Sequence, residues 1–148
     1  MKAFKRFYIW GMETKRDMGV YFSALVFLCG LVAALFGQTS LRLIVLLEML
    51  LLSFAVAALQ SFLLPDGTNY THGLLFGRAV LWAGVSALAI FVLSLAGGWL
   101  AAGGWPACAL LGAFMFAGLF LMLVGERFRQ EMESQQLNEA LARHQKKS

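Results

Sequence analysis

Along the chain, polar side chains nearly vanish over four stretches and gather between and after them. The apolar runs cover residues 19–37, 41–64, 74–95 and 106–124. Crossing about 30 Å of hydrocarbon takes roughly 20 helical residues at about 1.5 Å each, so each run is long enough to span a bilayer. Each is expected to be helical, because a helix satisfies its own backbone polar groups in lipid and an open strand does not. Pro106 opens the fourth run at a first-turn position, where a missing N–H costs nothing. The segment after the first run, LFGQTS, makes a poor cleavage site, so that run reads as a retained anchor and not a signal peptide. The pattern predicts an all-α membrane protein: a basic stub over 1–18, a four-span bundle over 19–124 and a charged cytoplasmic helical tail over 125–148, one unit without a second domain.

Few polar residues interrupt the runs. Arg42 stands near the start of the second and Arg78 near the start of the third, and each can snorkel to its nearest interface. Gln60 lies with Ser53, Ala57 and Ser61 on a semi-polar face of the second span. Glu48 is the sharpest exception. It sits seven residues into the second span, about 10 Å along the axis. An ionised carboxylate at such depth costs on the order of 3 kcal/mol, so it must stay protonated, find a donor or face water. Arg42 is six residues away, about 120° round the helix, and Arg78 starts from the opposite leaflet, so neither is a natural partner. The remaining donors are Gln38, Thr39, Ser40 and the indoles of Trp99 and Trp105. A structural carboxyl, a proton- or cation-coupling site and a partner contact are all open readings of Glu48 at this point.

Two rows of small residues, Ala79, Ala83 and Ala87 in the third span and Ala109, Ala113 and Ala117 in the fourth, are spaced for close helix approach and predict that these spans pack together. Trp99 and Trp105 lie near span ends, where interface belts form, whereas Trp82 falls deeper and reads as a packing residue.

Composition agrees with this picture. The chain has 148 residues, 60% hydrophobic and 14% charged, and a mean hydropathy of +0.74, where soluble domains carry about a quarter charged residues. Its positive charge is placed unevenly. Lys2, Lys5, Arg6, Lys15 and Arg16 precede the first span, and Arg127, Arg129, Arg143, Lys146 and Lys147 follow the fourth. Lys- and Arg-rich flanks stay cytoplasmic, which predicts the cell membrane with N-in and C-in topology. The connector PDGTNYTHG then falls on the same side, and its sequon at Asn69 is a chance match.

Both flanks are amphipathic. Phe4, Phe7, Tyr8 and Met12 recur at helical spacing beside Lys5 and Arg6, as in a short interfacial helix on anionic lipid. The tail ERFRQEMESQQLNEALARHQKKS is rich in helix formers. In it Phe128 and Met132 are four apart, as are Leu137 and Leu141, with a five-residue step between the pairs that breaks a strict heptad. These four are the candidate partner-binding positions, the alternative being a solvated extension of the last span.

Catalytic and cofactor chemistry finds no footing. The two histidines, His72 and His144, and the two cysteines, Cys29 and Cys108, have no ligand spacing, so no metal site is expected. Phosphate loops, nucleophile elbows and haem motifs are missing, and neither catalytic residues nor cofactors are expected.

The basic stub, four spans on short connectors and the post-span segment QQLNEALARHQKK resemble the domain-of-unknown-function 3021 family of small four-pass bacterial membrane proteins. Its members are often encoded beside LytTR-type DNA-binding regulators. The resemblance implies a non-enzymatic membrane component that restrains or senses for such a regulator through protein contacts, as partner or homo-oligomer, without touching nucleic acid itself. The competing expectation is a small proton-coupled transporter with Glu48 as its protonatable group. Small multidrug exporters are similar in size, but their key carboxylate lies in the first span, which here has none.

Overall fold

The computed structural model describes the backbone of residues 2–64 and 72–147, and side chains for residues 8, 11, 12, 14–64 and 73–145. Phe4, Phe7, Lys5, Arg6 and His72, as side chains, and the sequon at Asn69 lie outside the described residues. Among the described residues four α-helices make the fold: α1 (Lys2–Leu35), α2 (Leu43–Leu63), α3 (His72–Ala96) and α4 (Gly104–Lys147). All four are long and apolar enough to cross a membrane, and the described residues contain no strand, so the protein is an all-α, multi-pass membrane bundle.

Helix length separates the elements. The 21 residues of α2 rise about 32 Å, a match to the hydrocarbon. The 34 residues of α1 rise about 51 Å and the 44 of α4 about 66 Å, and both overshoot at the end that carries the chain termini. The stub is thus not a separate helix: residues 2–18 run into the first span without a break. No proline lies between them, and Gly11 and Gly19 alone do not end a helix. The tail likewise continues α4.

Packing follows the chain's hairpins. α1 lies mainly on α2 and α3 mainly on α4, while the lines of contact between α1 and α4 and between α2 and α3 are thinner. The molecule is two helical hairpins meeting along a seam. Leu25, Cys29 and Val32 of α1, Met49 and Val56 of α2, and Leu111 and Leu119 of α4 fill the centre. Trp82 is fully buried there, tilted against Tyr21 at 5.8 Å between ring centroids, and its indole N–H donates to Val56 O at 3.2 Å across the seam. Lipid offers no hydrophobic drive between helices, so dispersion and such bonds carry the assembly.

Ala79, Ala83 and Ala87 are buried on α3. The row expected on α4 is not packed within the bundle: Ala113 and Ala117 are exposed and Ala109 is half-buried. α4 instead turns Cys108, Leu111, Gly112, Met115 and Leu119 inward. Ala109 and Ala113 each follow one of these by one residue, about 100° round the helix. Gly112 packs against α3, where a Cβ would meet Ala87 O and Phe91 Cβ at 3.5 Å, ordinary contact distance.

Candidate functional site

Polar side chains converge at the end of the bundle formed by the α1–α2 and α3–α4 connectors, here called the loop end. Both connectors begin alike. Gly37 (φ 76°) and Gly98 (φ 60°) take the left-handed conformation that glycine tolerates best. In the first, Gln38 N–H donates to Ala33 O at 2.8 Å and Gly37 N–H to Ala34 O at 3.1 Å. In the second, Trp99 N–H donates to Ser94 O at 3.0 Å and Gly98 N–H to Leu95 O at 3.4 Å. Each is a Schellman cap, which satisfies the last carbonyls and turns the chain back over the helix. The residue that follows the glycine is thereby aimed across the seam: Gln38 from one hairpin, Trp99 from the other.

These two meet. Gln38 Nε2 donates to Trp99 O at 3.0 Å, and Gln38 Oε1 accepts from Ala102 N–H at 3.4 Å. Trp99, 1% exposed, donates its indole N–H to Glu48 Oε2 at 2.6 Å. The carboxylate in the apolar run therefore has a donor, supplied by the other hairpin at the short end of the N–H···O range. Arg42 precedes α2 in extended conformation and gives it no side-chain cap; its guanidinium instead reaches over to Gly97 O at 3.1 Å. Arg42 and Glu48 form no ion pair, but both come up to one glycine, Arg42 at the Gly97 carbonyl and Glu48 beside its Cα. A Cβ on Gly97 would stand 2.7 Å from Glu48 Oε2 and 2.7 Å from Trp99 Nε1, so the bond between those side chains needs a glycine there. Beside this clasp lies a cavity of about 450 Å³, lined by Ser40, Arg42 and Val45 of one hairpin and Gly98, Ala101 and Ala102 of the other.

The remaining site candidates lie elsewhere. Gln60 accepts a hydrogen bond from the Tyr21 hydroxyl near the terminal end. Arg78 donates to Leu63 O at 3.3 Å, pinning the end of α2 to α3. Neither joins Glu48 and Arg42, so the four polar candidates divide between the two ends. A cavity of about 410 Å³ opens at the terminal end, between Arg16, Asp17 and Gln60 on one hairpin and Leu123, Glu126 and Arg129 on the other. The apolar core separates the two cavities. Arg16 bridges Asp17 at 3.5 Å and Glu126 at 3.8 Å. Sequence reading missed this charged cluster, because 110 positions separate Arg16 from Glu126 and nothing local pairs them.

Phe128, Met132, Leu137 and Leu141 are all exposed, and they do not form one surface. Phe128 and Leu137 are nine residues apart, about half a turn. Leu137 and Leu141 follow buried Leu119 and Leu123 by 18 residues, five whole turns, and so continue the bundle-facing side of α4. Met132 follows exposed Phe114 by the same interval, and Phe128 follows exposed Leu121 by two turns, so this pair continues the lipid-facing side. Among the described residues no group of three His, Cys, Asp or Glu could hold a metal ion. No family model matches the chain, and neither a curated protein nor a solved structure matches it.

Proposed function

We propose that the protein is a non-enzymatic accessory or regulatory subunit of the cell membrane, with both termini in the cytoplasm, that acts through protein contacts to restrain a cytoplasmic DNA-binding regulator. The observation that carries this reading is the overshoot of α4. The helix runs on to Lys147, and beyond the bilayer it holds Leu137 and Leu141 uncovered on the side continuous with the bundle interior. A solvated helix with so few apolar groups gains little by standing alone, and its leucine pair suits a partner seated beneath the bundle. Phe128 and Met132, on the lipid-facing side, serve as an interfacial anchor instead. The basic residues that crowd both flanks support the orientation. Reporter domains active only outside the cytoplasm are expected to work after Thr39 and after Ala102 and to be silent at Ser148.

The experiment is pull-down from solubilised membranes together with target-gene output. Ending the chain after Gln130, or replacing Leu137→Asp with Leu141→Asp, is expected to leave an inserted bundle that no longer holds its regulator, since a charge cannot be buried without a partner. Unchanged co-purification and output in both variants would refute the reading.

A second reading has its own support: Glu48 is hydrogen-bonded to Trp99, which lines the loop-end cavity. If the chain is a proton-coupled transporter, Glu48→Gln abolishes coupled efflux, and efflux preserved in that variant removes the mechanism.

A further inference from the structure

The cavity at the terminal end is charged in a balanced way. Each side of the thin α1/α4 line brings one charge of each sign, Arg16 and Asp17 from α1 and Glu126 and Arg129 from α4. Their mutual bonds are loose. Asp17 and Glu126 share Arg16 at 3.5 and 3.8 Å, and Arg129 reaches out of the cluster to Glu133 at 3.6 Å. Half-exposed pairs at such lengths contribute little to stability and yield readily to a better partner. The depth is also defined. The apolar run of α1 begins at Gly19 and that of α4 ends at Val124, so all four charges stand where hydrocarbon gives way to headgroups. Above them, Val20 and Met122 are exposed on the seam and offer an apolar wall.

A site with both signs of charge and no net charge selects neither an anion nor a cation but a ligand carrying both, a few ångströms apart. From these observations we infer that this crevice binds a phosphoethanolamine headgroup, supplied by an aminophospholipid of the surrounding leaflet. The phosphate takes the guanidiniums of Arg16 and Arg129, bidentate bonding being their preferred mode. The primary ammonium donates its three N–H groups to Asp17 and Glu126, and an acyl chain lies along Val20 and Met122. Choline offers no N–H donor, so the site separates the two zwitterionic headgroups by hydrogen bonding, which discriminates more strongly than shape.

The test uses the full chain in nanodiscs that contain equal fractions of phosphatidylethanolamine and phosphatidylcholine in a phosphatidylglycerol-free background, followed by native mass spectrometry of retained lipid. Phosphatidylethanolamine is expected at five-fold or greater excess over phosphatidylcholine, falling stepwise with mono- and di-N-methyl analogues. Asp17→Asn with Glu126→Gln is expected to bring the ratio to about one while lipid is still retained. The methylation series needs no variant and stands even if this double variant misfolds. Equal retention of the two lipids, or a preference that survives in the folded double variant, would overturn the inference. So would phosphatidylglycerol retained above phosphatidylethanolamine in a separate three-lipid mixture, which would leave an arginine-only anion site. Soluble glycerophosphoethanolamine binding as tightly as the diacyl lipid would overturn the lipid source.

Discussion

The two ends of the seam close in different ways. At the loop end, groups reach across at 2.6 to 3.1 Å: Trp99 to Glu48 and Gln38 to Trp99 O from buried or half-buried positions, and exposed Arg42 to Gly97 O. At the terminal end, the α1/α4 line is spanned by the Arg16–Glu126 pair at 3.8 Å, its side chains 66% and 41% exposed. The difference is one of solvent. In a low-dielectric setting a broken hydrogen bond leaves an unsatisfied group, whereas at a wet edge water replaces a lost ion pair almost without cost. The loop end is therefore the clasp of the two hairpins, and the α1/α4 line of the terminal end is where they can part, Arg78 holding the α2/α3 line there.

The strongest way to break this contrast is Gly97→Val. The added side chain cannot coexist with the Glu48–Trp99 bond, and the variant is expected to lose about 2–4 kcal/mol in reversible unfolding from mixed micelles. Trp99→Phe keeps the ring but removes the indole donor. It should cost about 1–3 kcal/mol, because Glu48 loses its partner while staying within the bundle. Loss below about 0.5 kcal/mol would show that the carboxylate finds another donor.

Sharpening the contrast takes milder changes. Glu48→Gln retains an oxygen that accepts from Trp99, so folding and insertion should persist with stability within about 1 kcal/mol of the parent. Arg16→Gln with Glu126→Gln should be milder still, at most about 0.5 kcal/mol, as for exposed pairs generally. A larger loss there than in Trp99→Phe would invert the comparison.

How much of this could be read from the sequence depends on range. The four spans follow from run length, a local property that lipid enforces. Glu48 announced itself as a polar residue in an apolar run, and axial distance alone put Trp99 among its donors. The grip on Gly97 did not show, because it depends on two left-handed glycines turning both connectors back over the bundle, and the glycines of AGGWLAAGGW do not say which of them will turn. The α4 alanine row misled, since a small-residue spacing marks a helix face without saying which neighbour it meets. The split of the tail into two faces needed only the nine-residue interval and the observed burial of Leu119 and Leu123 to orient it. The Arg16–Glu126 cluster was out of reach, because it exists only once α1 and α4 are laid side by side.

The central claim is that the hairpins are clasped at the loop end and free to separate along the α1/α4 line of the terminal end. It is tested most directly by pulsed electron–electron distance measurement in nanodiscs. Spin labels go on exposed Thr39 and Ala101 for the loop end, and on exposed Met12 and Gln130 for the α1/α4 side of the terminal end, with the buried thiols Cys29 and Cys108 changed to Ala. The account predicts one narrow distribution for the first pair and a broad or multiple one for the second, with Gly97→Val broadening the first. A loop-end distribution as broad as the terminal one, or one that Gly97→Val leaves unchanged, would contradict it.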